Sequence, residues 1–283
     1  MNIAATVILY HPDESCVQNL ITLKKKFQKV YIVDNTENSS GSFENHKNVF
    51  QDVIYLHDGK NRGIAERLNW VCELAKKDGY KWLLTMDQDS LFDDVMLTEY
   101  FQCITDFTEK EKVSMFGVTF EKQDAKTGNC DAVPVNHLIT SGSVVNLNLL
   151  NEIGGFDENL FIDELDYEYC LRSIAKGFKI IQFPNIFLDH NLGKTTYHRS
   201  FKTIKRTSRN LHSAVRIYYM TRNFLYVQKK YQDIFPGEIN DRKTILLNRL
   251  KNNILYNKNR FKVIRYILKG VIDYRKARMG KLK

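Results

Sequence analysis

Through the first hundred residues, strand-length apolar runs take turns with segments of helical periodicity, and this alternation restricts the chain more than any other feature. IAATVILY (residues 3–10), KVYIVD (29–34), DVIYLH (52–57) and WLLTMD (82–87) have the length and apolar content of strands. ESCVQNLITLKKKF (14–27) and GIAERLNWVCELAKKDG (63–79) carry apolar residues at helical spacing. In the second, Ile64, Leu68, Val71 and Leu74 share a face and Gly79 marks the stop. That order builds βαβ units and a mainly parallel sheet flanked by helices, so the predicted class is α/β. Ligands of such sheets sit at the carboxyl ends of the strands.

Further along, LFDDVMLTEYFQCI (91–104) predicts a helix and VSMFGVTF (113–120) a buried strand, followed by the polar, turn-rich residues 121–137. DELDYEYCLRSIAKG (163–177) predicts another helix, and FKIIQF (178–183) and NIFLDH (185–190) predict strands. From about Tyr197 the texture changes to long helical segments rich in Arg, Lys and Tyr, broken near Pro236-Gly237. The expected organisation is a catalytic domain over 1–196 and a basic helical region over 197–283.

Charge follows the same division. From Arg199 onward there are 23 Lys and Arg against 4 Asp and Glu, which leaves 19 basic and 29 acidic residues in 1–198. An acidic front joined to a basic tail points the tail at a polyanion. The opening MNIAATVILYHPDE lacks the positive flank of a secretory signal, and no apolar run reaches about 18 residues, so the expectation is a cytoplasmic, non-spanning protein. Cys16, Cys72, Cys103, Cys130 and Cys170 are scattered without metal-ligand spacing and read as small core hydrophobes with no disulfide framework.

Four stretches carry chemistry. In LLTMDQDS (83–90), Asp87 and Asp89 flank Gln88 at a strand end. Alternate strand residues point the same way, so both carboxylates can face one point, where Mg²⁺ or Mn²⁺ would relieve their repulsion. A solvated turn with Asp89 or Ser90 capping the next helix is the plain alternative. Asp34 also follows a strand, either as a ligand contact or as an Asx turn. FIDELDYEYCLR (161–172) places Asp163 and Asp166 on one helical face and Glu164, Glu168 and Arg172 on another. One aspartate can serve as a general base; equally, Glu168 can pair with Arg172 while the aspartates favour a helix N-terminus. Asp189-His190 ends a strand, and imidazole would add a nitrogen ligand to the two oxygens, favouring Mn²⁺.

Taken in order, TVILYHPD, YIVDNTENSS, NRGIAERLN, WLLTMDQDS, SGSVVNLNLLNEIGGFDENLFIDELDYEYCLR and FLDHNLGK resemble family 2 glycosyltransferases of the GT-A fold, in particular the bacterial rhamnosyltransferase branch. The likeness spans roughly residues 3–194, with an echo in YYMTRNFLYV (218–227). It implies a Rossmann-like sheet with a C-terminal basic helical extension, and a metal-dependent, inverting transfer of a sugar. It further implies that Asp34 reads the nucleobase of a nucleotide-sugar donor, with Tyr10 and His11 lining its pocket. Asn61, Arg62 and Gly63 would open a diphosphate-binding helix. Asp87 would face the nucleoside, Asp89 would hold the metal with His190, and Ser141 and Gly142 would lie near the acceptor. Asp166 occupies the base position; Leu165 stands where many members have an acidic residue, and Asp163 supplies the second carboxylate.

The implied donor is dTDP-β-L-rhamnose, with UDP-hexose or UDP-galactofuranose as alternatives, and the implied acceptor is a cell-surface glycan, including polyprenyl diphosphate-linked forms. The tail, with Phe261, Ile264, Ile267, Leu268 and Val271 recurring among Lys and Arg, suits peripheral attachment to the inner face of the cytoplasmic membrane, or packing on the catalytic domain or a second subunit. A nucleotidyltransferase would carry a Gly-rich, Arg-containing loop after the first strand, where this chain reads YHPDESC. A nucleic-acid-binding module would leave the acidic constellations unexplained, so no nucleic-acid partner is expected.

Overall fold

The computed structural model describes residues 1–38, 50, 53–120, 130–190, 196–199, 206–209 and 211–283, with the side chains of 190, 196–199 and 206–209 excepted. The chain forms two compact units: Met1–Phe161 with Leu165–Asn191, and Ile162–Glu164 with Leu192–Lys283. The short excursion of 162–164 into the second unit has no counterpart in the sequence-derived division at 196/197.

The first unit opens with β1 (Ile3–Leu9), α1 (Glu14–Lys26), β2 (Val30–Asp34), β3 (Ile54–His57), α2 (Ile64–Lys77) and β4 (Trp82–Asp87). It continues through β5 (Ser90–Leu91), α3 (Asp94–Asp106), β6 (Val113–Thr119), β7 (Val133–Pro134), β8 (Ser143–Asn146) and the single turn α4 (Leu150–Ile153). It closes with α5 (Leu165–Ala175), β9 (Lys179–Phe187) and β10 (Asp189–His190). The eight-stranded sheet has the order β3-β2-β1-β4-β8-β6-β9-β7, and all strands but β8 and β7 run one way. β2 is buried along its whole length, and β1 and β4 nearly so; Val7, Leu9, Ile32, Leu84, Phe116, Val144 and Phe183 belong to one core. Each such side chain withdrawn from water contributes at most about 1.5–3 kcal/mol.

Local chemistry explains the element ends. Asp13 caps α1 by accepting from the Cys16 amide, and Asp93, not Asp89 or Ser90, caps α3 through the Val95 amide. The two strands predicted on either side of Pro184 are one strand, β9, whose register on β6 slips between Val118 and Thr119. An irregularity there absorbs a residue that cannot donate to the ladder. The buried stripe of α2 also differs from the predicted face: Ala65, Arg67, Leu68, Val71, Cys72 and Ala75 are buried, whereas Ile64 and Leu74 are partly exposed. The reading of all cysteines as unpaired is corrected at one pair, because Cys103 on α3 is bonded to Cys130; Cys16, Cys72 and Cys170 are free and buried.

The second unit contains β11 (Thr196–Arg199) paired with β12 (Arg206–Arg209), then α6 (Ala214–Tyr231), α7 (Pro236–Tyr256) and α8 (Arg260–Arg275). The helices break at 232–235 as expected near Pro236, which begins the next one, since at the first position its missing N–H costs nothing. α6 is the unit's core element, burying Ile217, Tyr218, Met220, Arg222, Asn223, Phe224 and Val227. The Arg222 guanidinium lies 5.2 and 5.1 Å from the ring centres of Tyr218 and Tyr219 and donates to the Gly280 carbonyl at 2.8 Å. Gly270 lets α8 approach closely: a Cβ there would stand 2.9 Å from the Tyr218 carbonyl oxygen. The opposite face of α8 leaves Phe261, Ile264, Leu268 and Ile272 exposed. Among the described residues, no helix is long and apolar enough to cross a membrane.

Candidate active site

Strand register assembles the first part of the site. Leu9 is opposite Asp34 and Ile8 opposite Asp87, so the carboxyl ends of β1, β2 and β4 open on one edge. Tyr10 and His11, which follow β1, are exposed there. Their rings meet edge-on at 4.3 Å, and His11 holds a left-handed backbone, φ 47°. Burial together with the nearby Glu37 charge raises the Tyr10 phenol above its ordinary pKa.

The Asp-Gln-Asp turn is built around Gln88. Its side-chain amide bonds the Tyr10 backbone from both sides, accepting from the amide at 2.8 Å and donating to the carbonyl at 3.2 Å, while the Gln88 carbonyl accepts from Asn19 Nδ2 at 3.2 Å. Asp87 and Asp89 are both exposed. Behind the turn, Ser141 Oγ accepts the Asp87 amide at 3.2 Å and donates to Ser90 Oγ at 2.8 Å, and the Gly142 amide donates to Thr85 O at 2.8 Å. Ser141 is 2% exposed, and a Cβ on Gly142, φ 73°, would stand 2.7 Å from Leu188. Ser141 and Gly142, expected near the acceptor, pack behind the turn and prop it.

His190 reaches the same place through its backbone, since β10 pairs with β5 and residue 190 lies opposite Ser90. Its side chain lies outside the described residues, so its metal-ligand role is not addressed by the structure. Among the described residues, no group of three or more His, Cys, Asp and Glu side chains is gathered to hold a metal. Two exposed carboxylates on a backbone-pinned turn nonetheless match the hard oxygen donors a divalent ion prefers.

Asp34 is bonded within the fold. It is fully buried; Oδ1 accepts the Thr36 amide at 2.9 Å and Oδ2 accepts the Tyr55 hydroxyl at 2.7 Å. This is the Asx-turn alternative, and it shapes the loop after β2. Asn35 extends the arrangement by accepting the Arg62 amide at 2.9 Å and donating to Asn61 Oδ1 at 3.0 Å. Asn61 Oδ1 also accepts the Gly63 amide at 3.1 Å.

The diphosphate-binding reading of residues 61–63 meets two competing contacts. The first amide of α2, at Ile64, donates to the Phe161 carbonyl at 2.7 Å, so that donor is already used. Arg62 is held between Asp58 and Glu66, at 2.5 and 3.0 Å. Gly63, φ 86°, permits this close packing, because a Cβ would come within 2.5 Å of both the Phe161 ring and its carbonyl oxygen. Arg67, invisible as a site residue in the sequence, is 1% exposed and bonds Asn35 Oδ1, Asp58 and the Lys60 carbonyl. Burial alone would raise the Asp58 carboxyl, but hydrogen bonds from Arg67 and Arg62 hold it well below the usual range.

The acidic stretch before α5 is not helical where expected. The helix starts at Leu165, so Asp163 and Asp166 do not share a helical face; Phe161, Asp163 and Glu164 have φ of 51°, 62° and 67°. Left-handed backbone at non-glycine residues costs about 1–3 kcal/mol each and needs support from its surroundings. Asp166 lies in the first turn of α5, partly exposed, with Oδ1 accepting the Tyr167 amide at 2.9 Å. Glu168 is fully buried and bidentate with Arg172, whose guanidinium also donates to the carbonyls of Ile153 and Gly155. Glu168 and Arg172 thus stitch α5 to the turn after α4, a structural duty.

Comparison with known proteins agrees with this geometry. The model of the family "Glycosyl transferase family 2" matches residues 14–127. The chain is 28% identical over 256 residues to the dTDP-rhamnosyl transferase RfbF of Shigella flexneri, covering 81% of each. Among solved structures it resembles GalNAc-T7 bound to UDP, GalNAc and Mn²⁺, with TM-score 0.59 and 9% identity over 97% of this chain, although it spans only 57% of that protein. It also resembles residues 1–349 of S. aureus TarS with UDP-GlcNAc, with TM-score 0.54, 14% identity, and 98% and 81% of the two chains covered. At such identities the two structures speak for the fold, which is GT-A. Its ordered motifs, its fold and these matches together make the chain similar to family 2 glycosyltransferases over residues 14–127 and rhamnosyltransferase-like in sequence over most of its length.

Proposed function

We propose that this protein transfers L-rhamnose from dTDP-β-L-rhamnose to a hydroxyl of a glycan acceptor, inverting the anomeric centre. The observation that carries the donor is the likeness to a dTDP-rhamnosyl transferase over 81% of both chains. In this reading Tyr10 and His11 form the exposed wall for the nucleobase, and Asp34 keeps the neighbouring loop in shape from within. Asp87 and Asp89 would hold a divalent ion, Mg²⁺ or Mn²⁺. When bound, that ion neutralises charge on the diphosphate as it leaves. Asp166 takes the proton of the acceptor hydroxyl as that oxygen bonds the anomeric carbon and the bond to the diphosphate breaks. Gln88, Ser141 and Ser90 hold the acidic turn still during the exchange, so little reorganisation is left for the transition state.

A donor screen by thermal shift tests the assignment. dTDP-β-L-rhamnose with Mn²⁺ should raise the midpoint more than UDP-glucose or UDP-galactofuranose at equal concentration, because stabilisation follows RT ln(1 + [L]/Kd). A larger shift with a UDP-sugar would overturn the rhamnosyl reading.

The exposed face of α8, with Phe261, Ile264, Leu268 and Ile272 beside Lys262 and Arg265, supports peripheral binding to an anionic membrane. Because α8 packs against α6 through Gly270, deleting residues 258–283 would strip the core of the second unit along with the surface. Phe261→Glu with Leu268→Glu changes the exposed face alone. The pair should reduce co-flotation with phosphatidylglycerol vesicles at least tenfold at an unchanged melting midpoint, and unchanged flotation would refute membrane binding through this face.

A further inference from the structure

The segment Ile162–Glu164 precedes the helix of Asp166 in the chain but packs into the C-terminal unit. Its left-handed backbone is held there by a specific set of bonds. Asn223, fully buried on α6, donates from Nδ2 to the carbonyls of Ile162 at 2.7 Å and Asp163 at 3.1 Å. Its orientation is not free, since its Oδ1 accepts from Arg222 Nε at 3.0 Å. Arg242 on α7 forks Nε and Nη2 over Glu164, at 3.0, 3.0 and 2.8 Å, and Glu164 is 5% exposed. Arg216 bonds Asp163 Oδ1 at 3.1 Å. The other oxygen, Asp163 Oδ2, is buried and has no hydrogen-bond partner among the described residues. A buried carboxylate oxygen left without a donor is costly.

We propose that Arg242 and Asn223 are positioning residues for sugar transfer: by clamping Ile162–Glu164 they set the start of the helix that carries Asp166. The inference rests on the transferase reading and extends it, because part of the basic C-terminal unit then works for the chemistry instead of for a surface. A point charge cannot replace the fork: lysine at 242 keeps the sign but loses the bidentate geometry. Truncation at 242 also removes the guanidinium fork from buried Glu164, so any catalytic effect must be separated from an effect on folding.

The test uses the full-length chain with dTDP-β-L-rhamnose and Mn²⁺, water serving as acceptor. Water attacks the anomeric carbon, gives its proton to the carboxylate, and dTDP leaves, so dTDP release reports the step. Arg242→Ala should lower kcat for dTDP release tenfold or more, with KM for the donor and the calorimetric Kd for dTDP within twofold of the wild type. Arg242→Lys should fall between them. If Arg242→Ala fails to fold, Arg242→Lys and Glu164→Gln decide, and each should lower kcat at unchanged donor KM. An unchanged kcat in a folded variant, or equal losses of kcat and of dTDP affinity, overturns the proposal. If the wild type turns over a UDP-sugar instead, the donor assignment falls and the same comparison on that sugar decides the clamp.

Discussion

Replacing Asp166 by asparagine is expected to lower kcat by about 10²–10⁴, the usual contribution of a positioned general base, while donor binding persists. Asparagine has nearly the same shape, and its side-chain carbonyl can still accept the Tyr167 amide that Asp166 Oδ1 accepts at 2.9 Å. What it cannot do is take a proton. Asp166 also lies in the first turn of α5, where a negative charge is favoured by about 0.3–1 kcal/mol, so the variant should lose little stability. The measurement is dTDP release from dTDP-β-L-rhamnose beside the calorimetric affinity for dTDP. Asp163→Asn provides the contrast, because Asp163 Oδ1 is already bonded to Arg216. If Asp163→Asn abolishes release while Asp166→Asn spares it, the proton goes to Asp163 and the two roles exchange.

The contrast between these two aspartates also shows where sequence reading succeeds and where it stops. Periodic elements were legible, because burial of a face imprints itself on neighbouring residues: α1, α2 and β1 to β4 lie within a few residues of their predicted spans. The stretch Asp87-Gln88-Asp89 reads as an alternating strand end, but the strand stops at Asp87 and residues 88 and 89 form a turn, pinned by the Gln88 amide on the Tyr10 backbone. The turn Ile162–Glu164 was not legible, since local spacing favours a helix there and the bonds that override it come from Asn223 and Arg242, 60 and 78 residues away. Arg67 escaped notice in the same way. A charged residue on an amphipathic helix reads as solvated until Asn35 and Asp58 are folded against it. At Asp34 the position after a strand left a ligand contact and an Asx turn equally readable, and only the folded chain supplies the bonds from Thr36 and Tyr55.

Removing divalent ions with excess EDTA is expected to eliminate measurable dTDP release, and Mg²⁺ or Mn²⁺ in excess should restore it. A cation on a leaving diphosphate is worth several kcal/mol in the transition state, and each 1.36 kcal/mol is tenfold in rate, so the loss should be about 10²–10⁴. Asp89→Ala should reproduce it at any metal concentration, because the carboxylate that answers the ion is gone. Gln88→Ala is the more discriminating variant. It leaves both carboxylates in the sequence but removes the amide that fixes their turn on the Tyr10 backbone. Its loss should be about tenfold and partly recovered at high Mn²⁺, since a looser pair binds the ion weakly without losing its chemistry. Manganese titrations by calorimetry in the presence of dTDP separate these cases: no heat for Asp89→Ala, a weakened isotherm for Gln88→Ala, and a tight one for the wild type. Full activity in EDTA would remove the ion from the mechanism and leave the two aspartates as an exposed acidic turn.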